Sequence, residues 1–289
     1  MQGLLRKPAP SVPPEKSRAS TTLCGRDIAR TNELKCLQAV AQFGHLRITE
    51  LARAVWPTSR YAEQVARRTS ARLIGQGLLL ARRNALGSRS LCLTRVGAAW
   101  LDARGFEAQH TLDLSSVAGS TFFHRTLATR YLVERQNEGF QVAGEYQILR
   151  RKTPFPLDGL ITALRKLPDG LVWRRGPAGQ VDVELIEQEA AAKARPELEK
   201  CLRAAEFAGY AMDNARVYRV SGLVFVYDRE LNHARRILLA ATSLWGNRPH
   251  DERVTLEQRV KLAAVELRDP LVWVSSHVTT LHDLRLTNV

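Results

Sequence analysis

The chain has 289 residues, 45% of them hydrophobic and 25% charged. That balance excludes a disordered polymer and leaves room for two domains with their own cores. The formal net charge of +14 points to a polyanionic partner. No apolar run reaches the length of about 18 residues that a membrane span needs, so no transmembrane segment is predicted. The N-terminus lacks the apolar centre of a signal peptide, and the chain is expected to be cytoplasmic. The positive charge is uneven: residues 1–110 hold 18 Lys and Arg against 7 Asp and Glu, whereas residues 111–289 hold 25 against 22.

Residues 1–24, rich in Pro, Ser and basic side chains, read as a disordered basic arm. Residues 25–107 read as one domain. A first helix is predicted over 31–43, with Leu34, Leu37, Val40 and Ala41 on one stripe, Thr31 as N-cap and Gly44 as stop. A short second helix follows in ITELARAVW, capped by Thr49. A third over 61–75 turns Val65, Ala66, Thr69 and Leu73 inward and leaves Arg67, Arg68 and Arg72 outside, with Arg60 at its entrance. After Gly77 the period becomes extended. LLLARR and SLCLT flank a loop with Asn84, Gly87 and Ser88, which predicts a hairpin with Arg82, Arg83 and Arg89 near its tip. A helix in VGAAWLDAR closes the unit. Three helices and a basic hairpin predict a winged helix-turn-helix that meets double-stranded DNA. Arginine suits both parts, since its fork pairs with guanine or with phosphate.

A linker is expected over 108–120 and a second domain over 121–289. Its predicted order is a helix at 121–137, a strand in FQVAGEYQILR holding Glu145, an insertion at 154–167, strands in PDGLVWRR and VDVELIEQE, and a helix in ARPELEKCLRAAEFAGYAM. The strand SGLVFVYD follows, then helices in ELNHARRILLAA and near 256–267, then the strand LVWVS. This α/β (α+β) order with a mixed central sheet is that of a restriction-endonuclease-like PD-(D/E)xK domain. Asp169 opens one strand and Glu187-Gln188-Glu189 ends the next. Alternation places Glu187 and Glu189 on one face. Clustered carboxylates call for a cation, and Mg2+ or Mn2+ on Asp169 and Glu187 fits their oxygen chemistry. Lys193, four residues past Glu189, is the candidate for stabilising the phosphate. His124 reads as a structural hydrogen-bonder, and Tyr131, Tyr146, Tyr210, Tyr218 and Tyr227 as core residues before attackers of DNA. The four cysteines, Cys24, Cys36, Cys92 and Cys201, form no CxxC pair, and phosphate-binding glycine loops and the GxSxG elbow are missing.

Several stretches together resemble the replication-relaxation family of plasmid and integrative-element proteins, and within it the MobC-type relaxases. They are GLLLARR…LCLTRVGAAWL, FHRTLATRYLVE, PDGL and ELIEQEAAAK, spanning most of residues 30–215. The resemblance implies plasmid mobilisation: binding at a transfer origin, nicking there, and relaxosome or coupling proteins as partners. Asp169, Glu187 and Glu189 match the acidic positions and Lys193 the lysine. The usual motif has lysine where this chain has Glu189, so the match runs through an ExE variant. The alternative expectation is a non-catalytic relaxosome accessory protein, or a transcription or replication regulator on an operator, with a degenerate nuclease fold.

Overall fold

The computed structural model describes residues 24–83, 87, 89–110, 119–176, 179–189, 193–215, 217–230, 233–268 and 271–287. The N-terminal arm, Asn84 and Ser88 of the hairpin loop, and most of the expected linker lie outside the described residues. The architecture is mixed α/β, with a small three-stranded sheet and a curled six-stranded mixed sheet.

Helix α1 (Gly25–Phe43) begins earlier than predicted. Thr31 is therefore internal, and its hydroxyl bonds the Asp27 carbonyl at 2.9 Å instead of capping. Cys36, Leu37, Val40 and Phe43 form its buried stripe. Gly44, at φ 78°, ends the helix. A Cβ there would lie 2.8 Å from the Tyr146 ring, so a residue without one lets two parts of the molecule approach. Strand β1 (His45–Arg47) was not foreseen: three residues are too short to show a period. Helix α2 (Ile48–Val55) follows directly with Arg47 at its N-cap, so Thr49 lies inside the helix and does not cap it. Helix α3 (Ala62–Gly75) buries Ala66, Thr69, Ser70 and Leu73. Strands β2 (Leu79–Arg83) and β3 (Arg89–Leu93) form the expected hairpin, and β1 pairs with the far side of β3. Thr94 caps helix α4 (Arg95–Asp102) by accepting from Gly97 N–H at 2.9 Å.

Helix α5 (Gly119–Asn137) lies on one face of the large sheet. Strand β4 is only Gln141–Gly144, and Glu145 begins the short helix α6 (Glu145–Leu149). The long predicted strand is thus broken, and Glu145 bonds the Arg125 guanidinium at 2.6 Å. The 154–167 segment contains helix α7 (Asp158–Leu164). Strands β5 (Gly170–Arg175) and β6 (Val181–Glu189) pair antiparallel, as predicted. Helix α8 (Arg195–Leu202), with Pro196 in its first turn, passes into a 3-10 turn, Arg203–Phe207. Strand β7 (Tyr218–Asp228) then runs parallel to β6. Helix α9 (His233–Trp245) and helix α10 (His250–Gln258) follow. The helix expected near 256–267 ends at Gln258. VKLAAVELR is instead strand β8 (Val260–Arg268), because its apolar residues fill a sheet position covered on both faces. Strand β9 (Val272–Thr280) and helix α11 (Leu281–Thr287) complete the described fold. The sheet order is β4-β5-β6-β7-β8-β9.

One apolar cluster runs from Leu37, Leu51 and Leu73 through Leu127 and Leu132 of α5 to Val172, Ile186, Val224 and Ala263. The N-terminal helices and one face of the large sheet therefore share a core. A second cluster fills the other face between the sheet and α8, α9 and α10, centred on Leu185, Phe225, Ile237 and Trp245. Polar clamps reinforce the junction: Glu134 of α5 holds Arg53 of α2 at 2.7 Å and Arg130 at 2.8 Å, and Arg47 reaches the Leu271 carbonyl at 2.8 Å.

Candidate functional site

Two charged regions stand out. The first is the outer face of α3 and the β2–β3 hairpin. Arg60, Arg67, Arg68, Arg72, Arg82, Arg83 and Arg89 are all exposed, as the sequence predicts. They are exposed because Ala66, Thr69, Ser70 and Leu73 occupy the inward positions, leaving the arginines on the opposite arc. They differ in what holds them. Arg72 is bonded to Glu33 of α1, Arg67 lies 3.4 Å from Glu63 one turn away, and the Arg60 guanidinium lies 4.5 Å over the Tyr61 ring. Trp56 is half-buried with its indole N–H on Asn32, in keeping with a structural role.

The second region lies where β5 begins and β6 ends. The pairing Gly170↔Ile186 and the bond from Asp169 N–H to the Ile186 carbonyl, 2.9 Å, bring Asp169 beside Glu187. Leu185, on the face of α8, fixes the alternation, so Glu187 and Glu189 leave β6 on that same face. Glu187 is 4% exposed and Glu189 1%. Glu184 points the other way and pairs with Lys261 at 2.5 Å. Lys193 Nζ lies 2.5 Å from Glu189 and 3.9 Å from Glu187. All four predicted site residues are therefore neighbours.

Two further side chains join them: Lys166, which sequence reasoning missed, and His124, which it read as a structural hydrogen-bonder without naming its partner. Lys166, from the segment set aside as an insertion, bonds Oε2 of Glu187 and lies 3.1 Å from Cys201 Sγ. His124 Nε2 lies 3.1 Å from Asp169 Oδ2, which also accepts the Gln188 N–H at 2.8 Å. Beside Asp169 a small cavity of about 20 Å³ is lined by Phe43, His45, His124 and Gly144, so β1 and the carboxylate site border the same space. The sequence signal for Lys166 is charge balance: buried carboxylates require cations, and Lys166 is the lysine nearest Asp169 along the chain.

Electrostatics follow from burial. Desolvation, reinforced by Asp169 and opposed by Lys166, pushes the Glu187 carboxyl up to about 7. Burial also raises Glu189 against the pull of Lys193. Burial would raise Asp169 too, but the bonds from His124 and Gln188 prevail and hold it below the usual aspartate range. Burial disfavours the charge on Lys166, yet Glu187 outweighs it and Lys166 stays firmly protonated. The Cys201 thiol is pushed up to about 11 by burial, then by Glu187. Tyr131, Tyr146 and Tyr227 are buried, which fits a core role; Tyr218 is half-buried and Tyr210 exposed.

Among the described residues, no group of three His, Cys, Asp or Glu side chains is arranged to hold a metal ion as it stands. The donor chemistry nonetheless fits a hard divalent cation: Asp169, Glu187 and Glu189 offer only oxygen, and Oε2 of Glu189 is buried without a hydrogen-bond partner. No described helix is long and apolar enough to cross a membrane. No family model, curated protein or solved structure matches the chain.

Proposed function

We propose that this chain is a DNA-binding endonuclease of the relaxase type, in which a winged helix carries duplex DNA and a PD-(D/E)xK-like site nicks it at a transfer origin. The observation that carries the reading is the convergence of Asp169, Glu187, Glu189 and Lys193 at the ends of two paired strands. The order α5-β4-β5-β6-α8-β7, with β4 to β6 antiparallel and β7 parallel to β6, supports it. In the N-terminal unit, α3 is the element for the major groove and the β2–β3 hairpin the one for the neighbouring backbone. Asp169 and Glu187 would hold Mg2+ or Mn2+, which when bound supplies Lewis-acid polarisation of a phosphate oxygen. His124 orients Asp169 through the 3.1 Å contact. Lys193, anchored by Glu189, offers a cation at the edge of the same site. Relaxosome or coupling proteins would be the partners at such an origin.

The test is metal-dependent conversion of supercoiled plasmid carrying candidate origins to the open-circular form, read after detergent and protease. Glu187→Ala and Asp169→Ala are each expected to lower nicking by on the order of 10²–10³-fold, the usual cost of removing one electrostatic stabiliser. DNA binding is retained. Full nicking by Glu187→Ala overturns the reading. A second reading, a non-catalytic accessory protein or regulator, is favoured by two observations: the ammonium of Lys166 already bonds Glu187, and Glu189 stands where the motif has lysine. Sequence-specific binding with no metal-dependent nicking in the wild type decides for it.

A further inference from the structure

The side chains at 187 and 189 share one face of β6. A lysine at 189 would set its ammonium beside Glu187. In this chain that space is reached by two ammoniums from outside the strand. They are not equivalent. Lys193 is pinned by Glu189 at 2.5 Å, and its own backbone carbonyl is bonded by Arg236. Lys166 is bonded to Glu187 itself and lies near Asp169, the two residues proposed to hold a cation. Both side chains are 26% exposed and so open onto solvent; what separates them is that Lys166 is bonded to Glu187, whereas Lys193 lies 3.9 Å from it and is bonded to Glu189. Arg165, at φ 51°, ends α7 and turns the chain at the residue before it. A non-glycine residue held in that conformation indicates that the surroundings fix the turn.

We propose that Lys166 is the substrate-contacting lysine of this site, in place of the lysine that β6 lacks at position 189. In the ligand-free chain it neutralises Glu187. With a divalent cation held by Asp169 and Glu187, which would supply Lewis-acid polarisation, the Lys166 ammonium would be free to contact a DNA phosphate. The proposal rests on the nuclease reading above. It has a signature that a merely structural lysine lacks: removing the ammonium strengthens metal binding while it weakens cutting.

The experiment uses the full chain as wild type, K166M, K166R and K193M. Mn2+ is titrated calorimetrically without DNA at pH 8.5, and nicking is followed in parallel. K166M is expected to bind Mn2+ roughly tenfold tighter, because a positive charge beside Glu187 is gone, and to nick on the order of 10²-fold more slowly. K166R keeps the charge, and its fork grips a carboxylate with two bonds. It is expected to bind Mn2+ several-fold more weakly than wild type and to nick more slowly. K193M shifts Mn2+ affinity less than K166M. If wild type binds Mn2+ and nicks while K166M and K166R match it in both assays, the proposal alone is overturned. The same holds if K193M shows the split and K166M does not. If wild type neither binds Mn2+ nor nicks, the nuclease reading falls and this proposal with it. Should K166M fail to fold, the shift in K166R decides.

Discussion

The arginines of α3 and the hairpin and the carboxylates and lysines at the end of β6 are both sets of charges, yet they obey different physics. The arginines are surrounded by water and lightly held: Arg67 is 65% exposed and 3.4 Å from a carboxylate that is itself exposed. Such pairs contribute little to folding, and the side chains remain available to a phosphate or a base edge. Glu187, Glu189, Lys166 and Lys193 are packed into the protein, and each depends on the others for its ionisation. A similar arrangement recurs at the junction, where Glu134 serves Arg53 and Arg130 together. The exposed set is thus held mainly by solvent, whereas in the more buried sets each charge has a counterpart within the protein.

That contrast breaks most visibly where a buried counterpart is removed. Glu134→Ala leaves Arg130, only 16% exposed, without its carboxylate. The pair is half-buried, and its loss is expected to cost about 1.5–3 kcal/mol in urea unfolding of the full chain, the range for hydrogen bonds to charged groups. Glu63→Ala on α3, by the same measurement, should cost at most about 1 kcal/mol. Equal losses would show that burial does not separate the two regions.

A smaller effect sharpens the exposed side. Arg68 is exposed, and its α3 neighbours Arg67 and Arg72 each pair with a glutamate; if α3 enters the major groove as proposed, Arg68 is the arginine to test first. Arg68→Ala should weaken duplex binding by about 1–3 kcal/mol in fluorescence anisotropy without moving the melting temperature. Arg72→Ala should lower both, since Arg72 also ties Glu33 of α1 to α3. Binding of wild type and variants should fall steeply with salt. Unchanged affinity in Arg67→Ala/Arg68→Ala/Arg72→Ala combined would remove α3 from the interface.

The smallest effect is a slope. The Glu187 carboxyl ionises near 7 in the folded chain, against an ordinary value of 4.5. Between those values the folded chain keeps a proton that the unfolded chain has lost. The contribution of Glu187 to stability is therefore full below 4.5 and declines as pH rises through about 7. The decline is at most about 1.4 kcal/mol per pH unit. His45, lowered to about 4 mainly by burial, works in the opposite sense: its contribution is present above 6.5 and is lost as pH falls. Melting temperatures of wild type minus Glu187→Gln, from pH 5 to 8, isolate the glutamate. A flat difference would mean that Glu187 is ionised throughout.

What the sequence by itself determined was whatever depends on local period and local charge. The α3 stripe, the hairpin after Gly77, the pairing of β5 with β6 and the common face of Glu187 and Glu189 all follow from repeats of 3.6 or 2 residues. The exposed arginines were legible because solvated charges need no partner to be placed. Tertiary structure alone decided the rest. Strand β1 is too short to carry a period and exists because β3 offers it an edge. FQVAGEYQILR stops being a strand at Glu145, where Tyr146 packs on Gly44 and Arg125 takes the carboxylate. VKLAAVELR is a strand because β7 and β9 flank it. Lys166 and His124 reach Glu187 and Asp169 from 21 and 45 positions away along the chain. A buried charge takes its counterpart from whatever the fold brings near, and no local period records that distance.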